Sequence, residues 1–384
     1  MQRFYFDHNA TTPVAPEVLE TLVSCLGQVY GNASSIHHFG QSAKQRLEAA
    51  RRQVAALIHA DPREIVFTSG GTEADNMAIL GSVRAADRAR RHAITCTIEH
   101  PAVLMTMKQL EREGVEVTTV RVGSTGVVNP DDIGRAIRPE TVLISIMHAN
   151  NELGTLQPIA EIARIAHEAG VTLHVDGVQT LGRIAVDVHA LGIDLFSMSG
   201  HKLYAPKGVG ALYIRKGTHV APVAFGGHHE RDRRPGTENV PGIAAFGAAA
   251  ALAGQRLADD AVRLGALRDR LENTILDRIP ETGINGSRAS RTPNTSNIYF
   301  DGVDGEAMVI ALDLRGFAVS TGAACSSGAL TPSHVLTSIG LSNDRARASM
   351  RFSLGRGNTV EQVDALADAV CASVTHLRRI SVHA

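Results

Sequence analysis

Apolar and polar positions along the chain change rhythm in a regular way. Short β-branched or apolar runs, EIVFT (64–68), HAITCTI (92–98), VEVTTV (115–120), TVLISIM (141–147) and VTLHVD (171–176), have the length and composition of strands. Helical stretches separate them, and that alternation predicts a mostly parallel sheet covered by helices. From 241 to 279 the chain is built of strong helix formers and is too long for an ordinary surface helix. It reads as one or two helices leading out of a first unit. Beyond it, RTPNTSNIYF and FAVST read as strands, and GEAMVIALDL and TVEQVDALADAVCASVTHLRRI as helices, which predicts a second, smaller α+β unit. The expected division is 15–260 for the large domain and 1–14 with 261–384 for the small one; a boundary near 285 is an open alternative. No repeat of 20 to 50 residues is visible.

Composition narrows the function classes. With 44% apolar and 20% charged residues the chain is globular, and its 384 residues supply a sizeable core. Tryptophan is absent and aromatic residues make up only 4%, which argues against a stacking platform for single-stranded nucleic acid. Lys plus Arg (38) nearly balance Asp plus Glu (39), so neither DNA nor an anionic membrane is an expected partner. The N-terminus lacks an apolar signal core, and a cytoplasmic protein is expected. Cys25, Cys96, Cys325 and Cys371 lie too far apart for a disulfide scaffold or a structural zinc site. Cys25, Cys96 and Cys371 fall in helix or strand patterns and read as core, whereas small turn-forming neighbours around Cys325 predict an exposed thiol.

Several segments carry candidate chemistry. In SMSGHKLYAPKGVGALYI (197–214), Lys202 lies between a strand-like run and a glycine-rich turn. Condensed with an aldehyde cofactor, a lysine amine forms a Schiff base; alone, the residue could be a surface lysine. Asp176 ends the run HVD, where open α/β sheets place their ligands, and could protonate a pyridine nitrogen or cap a helix. Gln179 follows within reach of a phenolic oxygen. TSGGTEADN (68–76) joins a strand to a helix beginning near Thr72, either a phosphate cradle or a tight turn. His100 precedes Pro101 and could cap a helix or stack on a planar ring. Arg351 could grip a carboxylate or form a structural ion pair, and Asn151 lies in a loop after a strand. The pairs His37, His38 and His228, His229 lack metal-ligand spacing, so no metal site is expected.

Together these segments resemble the cysteine desulfurases of the NifS and IscS type, pyridoxal phosphate (PLP) enzymes of fold type I in the class V aminotransferase-like family. FDHNATTP, GNASSIHHFG, VFTSGGTEADN, EHPAV, NNELGT, HVDGVQT, SGHKLYAPKGVGALY, GGHHERDRRPGTEN, TPNTSNI, GAACSSG and RFSLGR occur in the family's order. The resemblance implies a seven-stranded, mostly parallel sheet between helices and a smaller α+β domain carrying Cys325. It implies that Lys202 binds PLP covalently, Asp176 pairs with the pyridine nitrogen, Gln179 with the phenolic oxygen, and His100 stacks over the ring. Gly71, Thr72, Ser199 and His201 would hold the phosphate, with Thr237 reaching in from the second subunit of a homodimer. Asn151 and Arg351 would bind the substrate carboxylate, with Asn32 nearby.

The implied reaction turns L-cysteine into L-alanine and leaves sulfur on Cys325 as a persulfide, for an iron-sulfur scaffold or another sulfur-acceptor protein. Cys325 would touch a cluster only transiently. TGAAC stands where SGSAC is usual, and the chain stops at RRISVHA without the longer tail of housekeeping members, so altered scaffold docking is expected. The alternatives are selenocysteine lyase, another fold-type I enzyme, and a non-catalytic sulfur-handling protein. The Cys325 loop separates the first two from a desulfurase; the Asp176, His100 and Lys202 set argues against the third.

Overall fold

The computed structural model describes residues 2–87, 91–321 and 332–381. A seven-stranded sheet organises the first 214 residues, in the order Ile65–Thr68, Gly210–Ile214, Leu195–Ser199, Thr172–Asp176, Thr141–Met147, His92–Cys96, Glu116–Val120. Gly210–Ile214 runs antiparallel to both neighbours, and the remaining pairings are parallel. All five runs expected to be strands are strands. Every residue of Thr141–Met147 and Leu195–Ser199 is buried, as a sheet covered on both faces requires.

The segment from 240 onward forms one helix, Val240–Arg278, of 39 residues. Gly254 and Gly265 each cost an isolated helix about 1 kcal/mol relative to alanine. The helix continues because its two halves pack on different cores. Val240 to Ala253 lie in the cluster beneath the large sheet, while Leu264, Leu267, Leu271 and Ile275 lie in a second cluster with Phe300, Met350 and Phe352.

That second cluster lies under an antiparallel sheet of Thr282–Ile284, Thr295–Phe300 and Ser349–Ser353, flanked by helices Gly305–Asp313 and Val360–Ser381. FAVST forms only a two-residue strand, Phe317–Ala318, because its partner is the short N-terminal strand Phe4–Tyr5. The N-terminal chain then crosses between the cores. Phe6 belongs to the second cluster, and Ala15 and Val18 to the first.

Candidate active site

The strands Thr141–Met147, Thr172–Asp176 and Leu195–Ser199 end side by side, with Met147 paired to Asp176 and Asp176 to Ser197. At these C-terminal ends lies a cavity of about 320 Å³, within the usual range for small-molecule sites. Gly71, Thr72, His100, Asn151, Asp176, Gln179, Ser199, His201, Lys202 and Arg351 all line it. Ten positions named from sequence therefore converge. Asn32 and Thr237 are exposed and outside this lining, and the Asn32 carboxamide accepts from Ser34 N at 2.9 Å. Cys325 lies outside the described residues.

Lys202 ends a short 3-10 turn, Gly200–Lys202, directly after a sheet strand. Its Nζ donates to the carbonyls of Asn9 (2.5 Å) and Ala10 (2.6 Å). Asp176 is the last residue of its strand, and the chain after it packs closely on the sheet: a Cβ at Gly177 would fall 1.8 Å from Phe196 Cζ. The Asp176 carboxylate accepts from Val178 N at 3.0 Å. Helix Gly71–Ala85 begins at the cavity wall, where a Cβ at Gly71 would come within 2.7 Å of Val178 Cγ2 and 3.5 Å of Ser199 Cβ. Its first amides, Ser199 and His201 meet at one wall of the cavity, an arrangement able to hold an anion.

His100 has the anticipated capping role and stands at the cavity. It caps helix Pro101–Arg112, with Nδ1 accepting from Ala102 N at 3.1 Å, and it lines the cavity. Burial, reinforced by the Lys202 charge, lowers its pKa and keeps the imidazole neutral, although Asp176 pulls the other way. Arg351 likewise forms a structural ion pair, Nη2 to Asp7 Oδ1 at 2.7 Å, and donates Nη1 to Asn151 O at 3.1 Å. Among the described residues its buried Nε has no hydrogen-bond partner, so the guanidinium retains donor capacity beside the cavity. The side-chain amide of Asn151 makes no protein hydrogen bond among the described residues.

Beneath the cavity lie three buried acids. Burial and the neighbouring Asp75 push Asp176 up to about 6. Burial also pushes Asp75 up to about 7 and Glu99 up to about 8. Asp75 Oδ1 and Glu99 Oε2 lack hydrogen-bond partners among the described residues, while Glu99 Oε1 accepts from Cys96 Sγ and Met147 N, both at 2.9 Å. His174, held neutral by burial, bridges Ser145 Oγ (2.8 Å) and Ser197 Oγ (2.9 Å) and lies 3.5 Å from Asp75 Oδ1. Closely spaced buried carboxyls resist ionising together, so a cationic ring nitrogen over Asp176 would relieve the site.

The cavity also contains Asn9, Ala10, Asp75, Met147 and Val178, to which sequence reasoning gave no role. Asp75 carried a usable signal, since it lies four residues after Gly71 on the same helix face. Cys25 and Cys96 are core residues, as expected; Cys371, expected in the core, is only partly buried at the edge of the second cluster. Among the described residues no three His, Cys, Asp or Glu side chains are placed to hold a metal ion.

The aminotransferase class-V family model matches residues 4–366. The chain belongs to the class V aminotransferase family. Among its relatives in that family is the cysteine desulfurase IscS of Dictyoglomus turgidum, 47% identical over 377 residues that cover 98% of this chain and 96% of that one. A solved NifS-like protein superposes with a TM-score of 0.92 at 36% identity, covering 98% of this chain and all of its own. The structure of SspA in complex with cysteine gives a TM-score of 0.82 at 36% identity over 91% of this chain and 98% of that one. In this class V chain, the amine, buried acid and anion cradle converge on one cavity. That donor set fits an aldehyde-bearing pyridine phosphate.

Proposed function

We propose that this chain is a PLP-dependent cysteine desulfurase that converts L-cysteine to L-alanine and passes the sulfur to Cys325. The observation that carries this reading is the meeting of Lys202, Asp176 and the N-terminus of helix Gly71–Ala85 on one cavity. Lys202 Nζ would bind the cofactor aldehyde, Asp176 the ring nitrogen, Gln179 Nε2 the phenolic oxygen, and His100 would cover the ring. Gly71, Thr72, Ser199 and His201 would hold the phosphate, completed by Thr237 from a second subunit.

When bound, PLP supplies an electron-withdrawing ring that labilises the substrate's α-hydrogen. Arg351 and Asn151 orient the substrate through its carboxylate. Lys202 Nζ takes the α-proton as general base. Neutral His100 is able to accept the proton that the Cys325 thiol releases. In balance, the substrate Cβ–Sγ bond breaks, sulfur joins Cys325 as a persulfide, Cβ gains a proton and Cα recovers the one that Lys202 took, to give alanine. SspA, a relative of known structure, was solved in complex with cysteine, which agrees with this substrate.

A homodimer accounts for the apolar surface. Leu19, Val23 and Leu26 share one exposed face of helix Pro16–Gln28, near the ring pair of Tyr30 and Phe39, whose centroids are 5.3 Å apart; Ile36 is 94% exposed. A second copy seated there buries this face and supplies Thr237. We divide each subunit into a large domain, 15–260, and a small one of 1–14 with 261–384. No helix among the described residues is long and apolar enough to cross a membrane. We place the enzyme in the cytoplasm, delivering sulfur to an iron-sulfur scaffold or another acceptor protein. The test is to incubate purified protein with L-cysteine and a reductant: sulfide and alanine are expected in equal amounts, and sulfide with pyruvate in place of alanine overturns the assignment.

A further inference from the structure

Arg183 is a half-buried cation that takes part in no ion pair among the described residues. Its Nη1 donates to Asn9 Oδ1 at 2.8 Å and to Gln179 Oε1, and its Nη2 donates to His8 O at 3.0 Å. Burying a charge on neutral oxygens alone is unfavourable, and burial lowers its pKa to about 10. The arrangement nevertheless has a geometric consequence. A guanidinium has donors and no acceptor, so the Gln179 atom facing it must be oxygen. Gln179 Nε2 is thereby turned the other way. It donates one hydrogen to Asn9 O at 3.1 Å, and the second has no protein acceptor among the described residues, at a position lining the cavity.

The same guanidinium grips the His8–Asn9 segment, and Asn9 O is one of the two carbonyls that receive Lys202 Nζ. Asn9 is saturated: Nδ2 donates to Asn151 O and Thr295 Oγ1, Oδ1 also accepts from Asn294 Nδ2, and its N–H donates to Ser353 Oγ. Only a rigid fork addresses Oδ1, Oε1 and a backbone carbonyl together; a lysine offers a single point charge. We propose that Arg183 is a positioning residue that locks the Gln179 amide with an N–H toward the cavity and clamps the carbonyl on which Lys202 rests. This inference depends on the reading above, in which Gln179 and Lys202 serve a bound PLP.

The test is the visible absorption of the holoenzyme across pH 6 to 10 for wild type, Arg183→Ala, Arg183→Lys, Gln179→Ala and the double alanine variant. The charged and titratable groups lining the cavity, Asp75, Asp176, His100, His201, Lys202 and Arg351, are the same in all five. Losing both a nearby positive charge and an oriented donor to the phenolic oxygen favours the protonated chromophore, so Arg183→Ala is expected to raise the midpoint by about one pH unit. Arg183→Lys should recover only part of the shift. In the Gln179→Ala background, Arg183→Ala should shift it less than it does alone. A wild-type midpoint in Arg183→Ala with only a lower melting temperature makes the residue merely structural and overturns the proposal, as do fully additive shifts. Should Arg183→Ala not fold, a wild-type midpoint and KM in Arg183→Lys overturns it. A wild-type protein without a visible band is a separate result that sinks the PLP reading, and this inference with it.

Discussion

At one end of the cavity, Asp176, Ser199 and Lys202 stand on or just beyond the ends of adjacent parallel strands. At the other, Arg351 from the small sheet meets Asp7 across 344 residues of sequence. Register sets the first group: Asp176 faces the cavity because its strand pairs in one alignment with Thr141–Met147 and Leu195–Ser199, and a one-residue slip would reverse it. The second group depends on docking. The isolated bridges Asp7 to Ser353 and Ser320 to Arg351 show the N-terminal segment and the chain after Phe317–Ala318 enclosing the arginine. The end assigned to the cofactor is built into the sheet, whereas the end assigned to the substrate is assembled between units. The two should therefore fail separately.

The largest separation is expected from Lys202→Ala, which removes the amine proposed as covalent tether and general base. It should abolish or alter the visible band and lower turnover by at least about 1,000-fold; an unchanged spectrum contradicts the assigned role. Arg351→Lys tests the other end. It keeps the charge but loses the fork, at about 1.5 to 3 kcal/mol for a charge-assisted hydrogen bond, or roughly 10- to 150-fold in kcat/KM. The cofactor band should be unchanged. A variant that loses PLP together with cysteine affinity would show that the two ends are one cooperative unit.

The same contrast explains what the sequence disclosed. Strand periodicity and strand-end position placed Asp176 and the turn before Thr72, because a sheet converts local pattern into site geometry. Lys202 was marked by its glycine-rich surroundings, and His100 by Pro101. Nothing in periodicity marks Asn9, whose role is its backbone carbonyl, or Asp7, which acquires its partner only when the chain ends meet. Arg183 was overlooked for a related reason: an arginine seven residues after an aspartate ordinarily reads as surface, and its hydrogen bonds to Asn9 and His8 are a tertiary fact. The proposed division at 260/261 had no turn signal because the helix Val240–Arg278 runs through both cores.

A smaller effect concerns the acids below Asp176. Burial raises the folded-state pKa of Asp75 from 3.8 to about 7. An acid raised on folding holds its proton in the native state while the unfolded chain releases it, so stability falls as pH rises between these values. Asp75→Asn removes that penalty. It should be more stable than wild type at pH 7, by up to a few kcal/mol, and the advantage should shrink steadily toward pH 5 when melting temperatures are compared in matched cofactor states. An advantage independent of pH would mean that Asp75 does not titrate in this window.

The smallest effect is expected at the thiols on the large-sheet and small-sheet cores, and it bears on which cysteine takes sulfur. Cys96 donates Sγ to Glu99 and is fully buried; burial first, then the Glu99 carboxyl, raise its pKa well above that of an ordinary thiol. Burial also raises Cys25 and Cys371. Thiolate is the nucleophile, so each of the three is less reactive at neutral pH than an unperturbed cysteine. Cys371→Ser, at a half-buried edge position, should cost less than about 1 kcal/mol and leave desulfurase turnover within roughly twofold of wild type. Cys325→Ala should retain PLP and its spectral response to cysteine yet form no protein persulfide. Mass spectrometry after a single turnover distinguishes the alternatives: sulfur on Cys325 supports the assignment, and sulfur on Cys25, Cys96 or Cys371 would require a thiolate where burial opposes one.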